Sequence, residues 1–285
     1  MKTHFIIFAL PLLTLTAAPS AAEEACRGIL VDGFYNRYSA IKPRSRDRAV
    51  YAMLCASTYP QAQEVIKRAR QSGDDGSLGL WIGLFNLDEI EPGNGASAGK
   101  GTSGLVLNED RFRQWKAGYC SQSTEVEASQ AAEFFMQSAV TASGAQDKTI
   151  EAWSGCMQKR EGLACWASPS AQQNIDVVLN INWTRPSSAP AQSQARPEVQ
   201  HSFLTRGVIS KFEGTPPKRI LPDGYKLQAG TTHIPLTRQA DTTGTANLKV
   251  NFAGAEHSCK VFMPSDRDFT MFEPFINRLK LKYPG

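Results

Sequence analysis

The apolar residues of this chain change their spacing once, near residue 174, and that change sets what the chain can fold into. Before it they recur every three or four positions, the repeat of a helix with one buried face; after it they recur every second position, the repeat of a strand. The pattern predicts an α+β protein with a helical half first and an antiparallel sheet half second.

The helical reading runs from residue 27 to about 161. Ala49, Val50, Met53 and Leu54 make one face. Thr58 can cap a helix whose first turn holds Pro60, where a missing N–H does no harm, and Ala62, Val65, Ile66 and Ala69 give that helix a buried stripe. Gly73 and Gly76 end it. Asn108 starts another helix, with Glu109 and Asp110 at the positive end of its dipole and Phe112, Trp115 and Tyr119 following at helical spacing. Ala128, Ala131, Ala132, Phe135 and Ala139 mark the next, and Ile150, Trp153 and Met157 the last. These aromatic stripes read as core packing rather than as a ligand slot. Residues 77–104 interrupt the pattern: large residues alternate with small ones, then Pro92 and several glycines break any regular element, which reads as a strand or hairpin insertion and a loop.

In the second half, Ile175, Val177, Leu179, Ile181 and Trp183 alternate with Asn174, Asp176, Asn180 and Asn182, as in a strand buried on one face. Leu248, Val250 and Phe252 repeat the alternation, as do Cys259, Val261 and Met263. Weaker strands fit residues 201–209, 224–228 and 232–237, with turn signals at 222–224 and 241–244. Strands at this spacing suggest an antiparallel β-sandwich of the immunoglobulin-like kind, although the cysteine and tryptophan spacing of antibody domains is absent. Residues 185–198, rich in Pro, Ser, Ala and Gln, read as a solvated loop. The expected layout is a signal peptide over 1–22, an α-rich domain over 23–168 and a β-sandwich domain over 169–285.

The signal peptide rests on Lys2, an apolar run over residues 5–15 and the small-residue pattern Ser20-Ala21-Ala22, with cleavage expected after Ala22. The run is shorter than the roughly 20 residues a membrane-spanning helix needs, so the expected location is the periplasm or the extracellular space. All six cysteines follow the cleavage site, which predicts three disulfides. Cys156 with Cys165 is the easiest pair, because a short turn-prone segment with Gly162 separates them; Cys55 with Cys120 is the second. That leaves Cys26 with Cys259, tying the ends of the chain together. Cys26 is a poor lipid anchor, since acidic Glu23 and Glu24 precede it.

A net charge of +4, scattered along the chain, excludes the dense basic stripe that nucleic acid requires. The glycine-rich stretch from Gly93 fails as a phosphate loop: position 94 is Asn, and Lys100 is followed by Gly101 rather than Ser or Thr. His201, His233 and His257 lack the spacing of a zinc site, and no cofactor is expected. His257 and Cys259 share a strand face, which could place an imidazole beside a thiol; the plain reading is a histidine beside a disulfide. The acidic pairs Asp74 and Asp75, Glu89 and Glu91, and Asp266 and Asp268 could serve a glycosidase, with Glu89 and Glu91 the best placed. Asn182-Trp183-Thr184 is a glycosylation sequon inside a strand. The expected function is a non-enzymatic binding or interaction protein with a protein or envelope-glycan partner. The runner-up is a membrane-acting protein that inserts residues 77–104 through Trp81 and Phe85, and the third is a cell-envelope hydrolase using carboxylates.

Overall fold

The computed structural model describes residues 21–73, 109–143, 148–172, 175–188, 195–239 and 242–270. Residues 1–20 and 77–104, and with them Trp81, Phe85, Glu89 and Glu91, lie outside the described residues, as do Asp74 and Asp75. Among the described residues, six helices come first: α1 (Ala21–Asn36), α2 (Pro43–Ala56), α3 (Tyr59–Gln71), α4 (Glu109–Tyr119), α5 (Glu125–Ala142) and α6 (Lys148–Gln158). Seven described strands follow: β1 (Gly162–Pro169), β2 (Val177–Thr184), β3 (Glu198–Leu204), β4 (Val208–Ser210), β5 (Gly230–Arg238), β6 (Gly244–Phe252) and β7 (Ala255–Met263).

Local chemistry explains most helix ends. At the start of α3 the Gln61 side chain accepts from the Thr58 N–H at 2.9 Å, and Thr124 and Glu127 form the matching capping box on α5. Helix α3 stops where Gly73 takes a φ of +93°, a conformation that costs a residue with a Cβ. The apolar stripes of α2 and α5 face each other, with Ala49, Leu54, Ala128, Ala132 and Met136 among the buried residues.

All strand pairings are antiparallel and form two sheets, β1-β2-β5-β4 and β3-β6-β7. The sheets meet through their apolar faces, where Trp183 of β2 packs on Phe252 of β6 with ring centroids 5.0 Å apart. The buried side chains of both halves belong to one hydrophobic core.

Three features differ from the sequence expectation. Strand β1 gave no periodic signal. Three residues separate it from α6, and its Trp166 is buried against Trp153 of α6 rather than facing water. Strand β2 is buried on both faces, because α6 ends over its outer side: Asn182 is 0% exposed and donates to the Gln158 carbonyl at 2.9 Å. The weak strand over 201–209 is two strands, β3 and β4, turned at Gly207 with φ +90°, while 224–228 contributes only a bridge from Lys226 to Glu198.

The disulfides are Cys26–Cys156, Cys55–Cys120 and Cys165–Cys259. Cys55 does pair with Cys120 as expected; the pairs Cys156–Cys165 and Cys26–Cys259 are corrected. Cys156 lies on α6, which packs along α1 and so meets Cys26. Cys165 sits opposite Ile181 in the register of β1 with β2, and Ile181 is one of the apolar residues between the sheets. Its sulfur therefore points at β7, where Cys259 is. Proximity in sequence had favoured the short loop, but the direction of the Cβ decides which sulfurs can meet.

Helix α5 lies along the edges of both sheets. Gln130 donates to the Lys260 carbonyl at 3.0 Å and accepts from the Phe262 N–H at 2.7 Å, taking the place of a neighbouring strand on the free edge of β7. Gln137, two helical turns further, donates to the Ala167 carbonyl of β1 at 3.1 Å. Two glutamines seven apart share one helix face, and together they cover edges that would otherwise invite pairing with another chain.

Candidate functional site

Among the described residues, Cys259, His257, His201, His233 and Asp268, singled out for chemistry, make structural contacts. Cys259 is bonded to Cys165, so no thiol stands beside His257, and that enzymatic reading is overturned. The His257 ring packs edge-on against Trp183 with centroids 5.1 Å apart. His201 lies on β3 and His233 on β5, in different sheets; His233 donates through Nδ1 to Asn180 Oδ1 at 2.7 Å. Among the described residues, no group of three or more His, Cys, Asp or Glu side chains could hold a metal ion. Asn182 of the sequon is sealed in the core, and Cys26, tied to Cys156, has no free sulfur for a lipid. Among the described residues no helix is long and apolar enough to cross a membrane.

Asp266 and Asp268 belong to a latch between the halves. Arg48 of α2 donates to the carbonyls of Ser265 at 2.9 Å and Asp268 at 3.2 Å, with its guanidinium 4.1 Å above the Phe135 ring. Burial pulls its pKa below the usual guanidinium value, against the opposing effect of the Asp266 and Asp268 carboxylates. Asp268 accepts from the Ser265 N–H at 2.7 Å and from Thr243 Oγ1 at 2.6 Å, and Arg238 donates to the Pro264 carbonyl. The Asp268 carboxylate thus shapes this loop, while Asp266 is exposed beside it.

The outer faces of the two sheets differ. Helices cover the outer side of β1 and β2 in the four-stranded sheet. The outer side of the three-stranded sheet is open over most of its area, in rows that cross it: Phe203, Asn247 and Lys260; then His201, Lys249 and Ser258; then Glu198, Asn251 and Glu256. Each of these nine positions is exposed or half-buried. Phe203 is 39% exposed, a large ring among groups that donate and accept hydrogen bonds.

At one margin of this face, Arg219 donates through Nη1 to His201 Nδ1 at 3.0 Å and to the Ser202 carbonyl at 2.8 Å, while its Nη2 pairs with Asp223 at 3.2 Å. Because a guanidinium can only donate, His201 Nδ1 accepts and Nε2 carries the imidazole proton. Below the face, Ser202 Oγ donates to the Leu221 carbonyl at 2.7 Å and accepts from the Ile220 and Leu221 N–H groups, which ties the 219–223 loop to β3. At the opposite margin Lys260 pairs with Glu127 of α5 at 3.0 Å. Partial burial pushes Glu127 up, but the Thr124 N–H and Lys260 together hold it below the usual carboxylate range.

Nothing in the sequence reading pointed to Phe203 or Arg219. The available signal was Phe203 on the polar side of an alternation whose other side carries Ser202 and Leu204, and the bulge between Val199 and His201 hides it by shifting the register. Compared with known proteins, the chain matches no family model, no curated protein and no solved structure.

Proposed function

We propose that this is an exported, non-enzymatic binding or interaction protein that meets its partner, a protein or an envelope glycan, through the outer face of the three-stranded sheet. The observation that carries the reading is the open face itself: an exposed Phe203 surrounded by His201, Asn247 and Lys249, on a sheet whose edge strand β7 is already closed by α5. An aromatic ring ringed by amides and cations can bury apolar area and orient a partner by hydrogen bonds, the combination that interface centres use. Three disulfides fit an oxidising, extracytoplasmic compartment.

The strand order supports an immunoglobulin-like reading of the sheet half. Lettered A to G along the chain, the sheets run A-B-E-D and C-F-G, the arrangement of a seven-stranded constant-type domain. The bridge here joins A to G instead of B to F, and a helical layer covers part of the A-B-E-D face. On this reading the uncovered face is C-F-G.

The test places a photo-crosslinking residue at Phe203 or Ser258, with exposed Ile209 on the other sheet as the control, and irradiates the protein in its own envelope. A discrete adduct at the first two positions and none at Ile209 is expected, with Phe203→Ala lowering the yield by about tenfold or more, as truncating a central interface ring does. Equal labelling at all three positions overturns the proposal.

A further inference from the structure

Phe203 stands on the open sheet face with polar neighbours. His201 and Thr205 lie two positions to either side of it along the chain, and Asn247 is its partner across the strands. The centre of a protein–protein interface ordinarily runs on through several apolar and aromatic residues. A single ring in a polar surround offers a protein little to bury. A peptide also has no strand edge to join here. Gln130 takes the edge of β7. On the edge of β3 the Leu204 N–H donates to the Lys218 carbonyl at 2.8 Å, and the Val199 N–H to the Tyr225 carbonyl at 2.9 Å.

The charges on and around the face are matched. Lys249 pairs with Glu256 at 2.9 Å, Lys260 with Glu127 at 3.0 Å and Arg219 with Asp223 at 3.2 Å, and Glu198 stands across a bridge from Lys226. These cations and carboxylates cancel. His201, accepting from Arg219 through Nδ1 at 3.0 Å, is the neutral imidazole. Such a surface has no net field to draw in a polyanion or a polycation. What it offers is hydrogen bonding: the Asn247 amide both donates and accepts, and His201 keeps Nε2 as a donor.

We propose that the ligand of this face is an uncharged glycan, a chain of neutral hexose-type sugars, with Phe203 stacked on one sugar ring and Asn247 and His201 meeting its hydroxyls. The proposal rests on the reading of this face as the binding surface and adds the chemistry of the partner. A pyranose presents a flat patch of C–H groups and a rim of hydroxyls that donate and accept. The site has the matching make-up: one ring of apolar area, polar groups around it and no net charge. The row of Phe203, Asn247 and Lys260 crosses three strands, about 10 Å at the usual strand spacing, so a sugar chain laid along it keeps neighbours beyond its first ring.

The experiment places a photo-crosslinking residue at Ser258 and irradiates the protein in its own envelope. After reduction and trypsin digestion, mass spectrometry reads what the peptide holding residue 258 has gained. Added masses in steps of hexose or N-acetylhexosamine units are expected. In the same background Phe203→Tyr should keep the yield, whereas Phe203→Leu, apolar but not flat, should lower it by about tenfold, as loss of a central interface ring does. Salt at about 1 M, where the Debye length is about 3 Å, should leave the yield within about twofold. A peptide mass on residue 258 overturns the glycan while leaving the face as the binding surface. Masses of uronic or phosphorylated sugars overturn the neutral ligand, and equal yields from Phe203→Leu and the wild type overturn the stacking. No adduct at residue 258 overturns this proposal and the reading of the face together.

Discussion

Ser202 shows how one buried hydroxyl can organise a neighbourhood. It is 0% exposed and serves the Leu221 carbonyl and the Ile220 and Leu221 amides together, so Ser202→Ala strands backbone groups rather than merely deleting a contact. A loss of about 1–3 kcal/mol is expected for such unsatisfied groups, read as a lower urea midpoint with an unchanged slope. Ser202→Ala behaving like the wild type would mean that water replaces the hydroxyl. Tyr51 makes a prediction in pH. Burial, with Tyr119 adding to it, pushes its pKa up to about 12, and its hydroxyl donates to the Tyr119 carbonyl at 3.0 Å. The folded state then holds the proton more tightly than the unfolded state does. The stabilisation is complete below the unfolded value near 10 and disappears as pH rises toward about 12. Tyr51→Phe should flatten that alkaline limb in denaturant titrations between these values; an equally steep limb in the variant would assign it to other groups.

At the scale of the element, the edge contacts of α5 decide how the helices and sheets are held. Gln130→Ala removes both hydrogen bonds to β7, and because that edge is partly wet the expected cost is modest, about 1 kcal/mol. The sharper signature is local. The Phe262 amide, bonded to Gln130 Oε1 at 2.7 Å, should exchange its hydrogen markedly faster in the variant, while Leu248 and Val250 in the middle of the sheet keep their protection. Equal exchange at Phe262 would show that the helix itself shields the edge. These elements also show what was legible in advance. The stripes of α2, α3 and α5 could be read because each has one wet and one dry face, and β6 could be read because Lys249 and Asn251 point to water. Strand β1 and the outer side of β2 could not, since Trp166 and Asn182 are buried by α6 and break the rule that polar residues mark the wet face. An asparagine in a strand looks solvated until a helix end supplies a carbonyl for it.

At the scale of the whole molecule, the disulfides divide by half where the sequence had suggested a bond from end to end. Cys26–Cys156 and Cys55–Cys120 stay among the helices, and Cys165–Cys259 stays between the sheets. Apart from the chain connection between α6 and β1, the described contacts that join the halves are therefore non-covalent. They are nonetheless extensive: Arg48 reaches the 265–268 loop, Phe269 packs on Tyr51 and Phe135, Trp153 meets Trp166, and the buried side chains form one core. A shared core makes separate unfolding costly, because either half left alone would expose Trp153, Trp166 and Phe135 to water. One cooperative calorimetric transition is the expected behaviour with the disulfides intact, its calorimetric and van't Hoff enthalpies agreeing. Trp153→Ala should lower the midpoint of that single transition by removing about 3–5 kcal/mol of packing without splitting it. Two resolved transitions in the wild-type protein would mean that the halves are independent domains in loose contact, and that the latch at Arg48 contributes little to holding them.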